Sequence, residues 1–210
     1  MGMAVVVLIG TLFIVLAWRE RNAGIPDERP TTSDHWHSAY SVNICGEVQE
    51  PIPADTNIEF GIHTRGDGLI HIAPTVDAAT GLNATVGTFF LESGGVISDT
   101  RLSINGIDVN EAETLCNDQE SELLILKWVR ADTERPLVIA EGLGAVRFDQ
   151  NDPNEGQLFT FALVEKDADL DYDALRPDTT LLDDYIDGDP PAEEPIVADE
   201  STETTDTSEG

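Results

Sequence analysis

Hydrophobic and polar positions alternate through residues 35–45 (HWHSAYSVNIC) with the two-residue period of a strand. That period sets Trp36, Ser38 and Tyr40 on one face and His35, His37 and Ala39 on the other. Residues 57–64 and 69–73 are β-type and flank Arg65-Gly66-Asp67-Gly68, a turn-rich connection that predicts a hairpin. The period then changes: Leu82, Val86, Phe89 and Phe90 recur at helical spacing, with Asn83 placed to cap and Gly94-Gly95 placed to stop the helix. Further strands are expected at 101–105, 123–130, 137–140 and 158–164, the third weakened by Pro136. A hairpin, a helix and then more strands predict an α+β domain over residues 34–166, with a β-grasp-like sheet and one packed helix.

Both ends of the chain depart from this pattern. Residues 3–18 (MAVVVLIGTLFIVLAW) carry no charge and are followed at once by Arg19, Glu20 and Arg21. Sixteen helical residues rise roughly 24 Å against a hydrocarbon core of ~30 Å, so a transmembrane helix would lean on Trp18 and the snorkelling arginines. No basic segment precedes the run and no small-x-small cleavage site closely follows it, which favours an uncleaved anchor at residues 1–21 over a signal peptide. Residues 22–33 form a polar, proline-containing linker. The flanking arginines alone would hold the C-terminal side in the cytoplasm. Cys45 and Cys116, the only cysteines, have neither CxxC nor zinc-finger spacing and read as one disulfide, which places the domain outside the cytoplasm at the cell membrane.

Charge narrows the partners. The formal net charge is -30, and half of it lies in residues 165–210. A chain so acidic repels a phosphate backbone, so nucleic acid is excluded as a partner. From 167 onward the sequence reads as an acidic, largely disordered tail, because it buries too little apolar surface to offset its ordering entropy. Asp167, Asp169, Asp171, Asp173 and Asp178 have the spacing of a calcium loop, but Tyr172 stands where that loop requires glycine.

The candidate chemistry is in the histidines. All four, His35, His37, His63 and His71, fall within 37 residues. A three-residue loop Gly66-Asp67-Gly68 sets His63 opposite His71, whereas a two-residue turn sets His63 against Ile70. If the two pairs of histidines meet, four imidazoles could bind Zn or Cu, with Asp34 or Asp67 orienting a ring nitrogen from behind. The same residues also suit a hydrogen-bonded His and aromatic surface, or a patch that charges near pH ~6.5. No serine sits in a nucleophile elbow, so hydrolysis by a serine triad is not expected. Two functions remain open. One is a non-enzymatic, membrane-tethered domain whose His-bearing sheet face engages a ligand or an envelope protein; the other is a metalloprotein, an enzyme included.

The segments DHWHSAYSVNICG (34–46) and GIHTRGDGLIHIAP (61–74), followed by the Asn83-Ala84-Thr85 helix start, resemble a group of uncharacterised actinobacterial membrane-anchored proteins. Those proteins look like DHWHAAYG...CG, then GIHTHGDGLIHIHP, then a similar amphipathic helix. The resemblance covers about residues 34–105 and implies an extracytoplasmic domain on one N-terminal helix. It brings no activity with it. Arg65 and Ala73 stand where that group carries histidine.

Overall fold

The computed structural model describes residues 29–55, 58–149 and 156–187. It is a mixed, strand-rich α+β structure. Strands β1 (Trp36–Ile44), β2 (Glu47–Val48), β3 (Ile62–His63), β4 (Leu69–Ile72), β8 (Ser121–Trp128), β9 (Leu137–Ile139) and β10 (Leu158–Glu165) build the main sheet. Its order is β3-β4-β1-β10-β8-β9, and β2 pairs with the end of β1. The first and last strands, β1 and β10, lie side by side and parallel at the centre, and the neighbouring pairs are antiparallel. A second sheet joins β5 (Val96–Ile97), β6 (Arg101–Ile104) and β7 (Ile107–Asn110).

Both faces of the main sheet are covered, which is why LFTFALVE of β10 is a nearly unbroken apolar run rather than an alternating one. On one face Trp36, Tyr40 and Val42 of β1 meet Phe159 and Phe161 of β10 and the helix α1 (Val86–Glu92). There the Phe90 and Phe161 rings pack edge to face with centroids 4.9 Å apart, and Tyr40 meets Phe89 at 5.5 Å. On the other face Ala39, Leu69, Leu126, Trp128 and Leu158 are covered by Leu175 and Leu182.

The last contact corrects the domain boundary expected at 166. Thr160 Oγ1 donates to the Leu175 carbonyl at 2.6 Å, and the Arg176 guanidinium donates to the Ala131 and Thr133 carbonyls while lying over the Trp128 ring. A helix, α2 (Thr180–Asp187), follows, and its Leu182 is fully buried. Net charge concealed this because three apolar anchors, Leu170, Leu175 and Leu182, suffice to dock a mostly acidic segment. The linker expected over 22–33 likewise ends in contact: Pro30 is buried and its carbonyl accepts from Gly81 N–H.

Three local expectations also change. Asn83 does not cap α1; it lies in a 3-10 turn, Gly81–Asn83, and the Thr85 hydroxyl accepts the Thr88 N–H instead. Leu82 is therefore exposed, whereas Val86, Phe89 and Phe90 are buried. Strand β6 continues through Asn105-Gly106, both with positive φ, into β7. That two-residue Asn-Gly turn is a hairpin signal the sequence contained.

The residues 3–18 read as an anchor lie outside the described residues, as does the chain beyond 187. Among the described residues no helix is long and apolar enough to cross a membrane.

Cys45 and Cys116 form a disulfide with Cα atoms 5.0 Å apart. It joins the chain leaving β1 to the chain approaching β8, the two strands that flank β10. The loop it closes spans 71 positions, which corresponds in the chain-entropy model to roughly 4 kcal/mol. A Cys45→Ala/Cys116→Ala double variant should lose stability on that scale in urea titrations. A loss under about 1 kcal/mol would show that the cross-link does not hold these strands together.

Candidate metal centre

Three adjacent strands place the histidines. Register pairs His37 of β1 with His71 of β4, and His71 with His63 of β3, so the three side chains stand in a row on one face. The hairpin turn is the longer of the two alternatives, with Gly66 and Gly68 both at φ +79. The Asp67 carboxylate closes it by accepting the Leu69 N–H at 3.0 Å. His35 precedes β1 and lies two residues from His37, with ring centroids 4.7 Å apart.

The edge strand β3 is fixed by contacts remote in sequence. Glu92, at the end of α1, accepts the N–H groups of Phe60 at 2.7 Å and Ile62 at 2.9 Å. Gly61, at φ +80, brings its backbone against Ala73, where a Cβ would stand 2.1 Å from the carbonyl oxygen. No local sequence signal announces Glu92, which lies 30 and 32 residues from the amides it holds.

One ligand atom from each of His35, His37 and His71 lies within 4.8 Å of the others, so this group could hold a metal ion. His35 is exposed and the other two are buried. His37 and His71 meet edge to face at 4.9 Å, and His63 stacks on His71 at 5.3 Å with an interplanar angle of 19°. The structure therefore brings all four rings into one row, with His63 outside the convergent three.

The two carboxylates expected behind the rings part company. Asp67 Oδ2 lies 2.9 Å from His71 Nε2. Asp34 Oδ2 instead accepts from the N–H and hydroxyl of Thr31, closing a turn ahead of β1. Two of the aspartates with calcium-loop spacing are engaged locally, Asp171 by the Asp173 and Ala174 amides and Asp178 by Thr180.

Crowding and burial decide the protonation. Burial first, and then the neighbouring His71 and His35, lower the His37 pKa to about 3. Burial, His71 and the Arg65 guanidinium lower that of His63 to about 4. For Asp67, burial acts upward, but the hydrogen bond and charge of His71 outweigh it and leave the pKa below the usual carboxylate value. His37 and His63 are thus neutral imidazoles, the form in which histidine ligates metals, and Asp67 is a carboxylate. No protein-family model, curated protein or solved structure matches the chain.

These shifts predict acid sensitivity. In the unfolded chain His37 and His63 accept protons near ~6.5, while in the fold they resist to about 3 and 4. Stability from these two rings should be complete above pH ~6.5 and fall as pH drops toward 4, with a combined slope of at most about 2.7 kcal/mol per pH unit. Asp67, whose pKa is depressed, adds a loss only below pH ~3.9. Urea midpoints of the wild type and His63→Phe between pH 7.5 and 4.5 isolate the His63 share. Parallel curves for the two proteins would contradict the neutral assignment of His63.

Proposed function

We propose that the protein is an extracytoplasmic metal-binding domain, selective for Zn or Cu, carried on an N-terminal membrane anchor. The carrying observation is the convergence of the His35, His37 and His71 ligand atoms within 4.8 Å. Tetrahedral Zn with bonds of ~2.0–2.1 Å sets its nitrogens about 3.3 Å apart, so modest side-chain adjustment brings three imidazoles onto one ion. Asp67 supports the same reading: a carboxylate on Nε2 fixes the His71 ring and directs Nδ1 to the metal. Both cysteines are spent in the disulfide, which leaves an all-imidazole donor set suited to Zn or Cu.

A sheet face built for an envelope protein would offer its side chains to solvent. His37, His63 and His71 are only 9%, 7% and 0% exposed, which favours an ion over a protein as the occupant. Extracytoplasmic placement is supported by the disulfide and by the uncharged run at 3–18. The parallel pairing of first and last strands, with α1 following the first hairpin, supports a β-grasp-like reading of the sheet. Kinship with the actinobacterial membrane-anchored group is supported by where the likeness falls: residues 34–46 and 61–74 include β1, β3 and β4, and with them the whole histidine row.

Protein purified without added metal should bind one Zn or Cu(II) per chain in calorimetry. His71→Ala should abolish that binding, and Asp67→Asn should weaken it roughly 10–100-fold. Wild-type protein that takes up neither metal would end the reading. A reporter fused after Gly210 and active only in the cytoplasm would reverse the placement.

A further inference from the structure

We propose that His63 is the fourth ligand of this centre, so that metal loading closes a four-imidazole site and ties β3 to β4 and β1. The inference rests on the metal reading above and adds what kind of centre it is.

His63 stands directly opposite His71 in the β3–β4 register. Their centroids are 5.3 Å apart, close to the 4.7 and 4.9 Å that separate the rings of the convergent three. Each ring in the row thus neighbours the next at a similar spacing, with His63 one strand beyond His71 from His37. The torsion that orients an imidazole is broad, and a turn about it moves a nitrogen without moving the strand.

The second observation concerns what His63 lacks. The residue is only 7% exposed, and neither Nδ1 nor Nε2 makes a well-formed hydrogen bond, the Gly61 backbone being the one polar group that approaches the ring. A buried polar group without well-formed hydrogen bonds carries a desolvation cost that an apolar residue in this place would not. Rotation toward the metal gives up only a weak approach to the Gly61 backbone. A nitrogen that binds the ion removes the cost. The nearby carboxylates are otherwise engaged, Asp67 by His71 and the Leu69 amide and Asp34 by Thr31.

Two consequences follow from a fourth imidazole. Four protein ligands saturate tetrahedral Zn and leave no position for an activated water, so the centre holds its metal and does not perform metal-assisted hydrolysis. The ion also cross-links three strands, the outermost of which, β3, is paired at only two positions.

Co(II) replaces Zn as the spectroscopic probe, and azide tests for an open position, on the full-length chain in detergent. In the wild type, the Co(II) absorption should be that of a tetrahedral centre and should not respond to azide. X-ray absorption on the Zn form should count four imidazoles. In His63→Phe, which keeps the stack on His71, azide should shift the spectrum, the count should fall to three, and Zn affinity should drop by at least about ten-fold, since even ligand-supporting residues cost that much. Azide binding to the wild type, or His63→Phe indistinguishable from it, would overturn the fourth ligand and leave the three-histidine reading standing. A wild type that takes up neither Co(II) nor Zn would overturn both. The wild-type azide and X-ray measurements decide the matter even if the variant fails to fold.

Discussion

A slip of β4 by one residue against β1 would turn His71 to the aromatic face and carry Ile70 or Ile72 into its place. Side chains alternate with a period of two, so no smaller change could separate the rings more completely. The histidine row therefore depends on register, and register is over-determined here. Ile70 and Ile72 are fully buried on the aromatic side, Leu69 is buried with the opposite cluster, and Asp67 fixes the turn through the Leu69 amide. Each would be displaced by the slip that displaced His71.

The row is also expensive in a way an ordinary surface is not. Holding His37 and His63 neutral and buried surrenders hydration that exposed imidazoles would keep. The fold offsets such costs elsewhere, chiefly in the aromatic cluster of Tyr40, Phe89, Phe90, Phe159 and Phe161 and in the disulfide across β10. Both lie away from the rings, so the strands that carry the histidines are braced by structure that does not itself depend on a bound ion.

The sequence disclosed the histidine row better than it disclosed the scaffold. Alternation in 35–45 located the face of His37, and glycines at 66 and 68 located the turn that opposes His63 to His71. What it left out is set by distance along the chain. The direct pairing of His37 with His71, the Glu92 grip on Phe60 and Ile62, and the strap of Leu175 and Leu182 are tertiary choices with no local period. Strands of two residues, such as β2 and β5, are too short to show a period at all. Asn83 and Thr85 are both good caps two residues apart, and burial of Val86 and Phe89 selected the phase that uses Thr85.

The net charge of -30 also bears on the histidines, although no acid need be a ligand. A strongly negative surface raises the local concentration of divalent cations, an effect that reaches about a Debye length, ~8 Å at physiological salt. Exposed carboxylates hold such ions loosely, because water competes well for both partners. Imidazole ligands in a half-buried row would instead hold a borderline metal by directed bonds that salt screens little. On the proposed reading, a diffuse acidic field that gathers cations and a compact imidazole site that selects among them would be complementary, and the selection would fall to geometry. If the proposed metal centre forms, the exposed ring, His35, is the first ligand an arriving ion would meet, and the buried rings behind it would determine which ion stays.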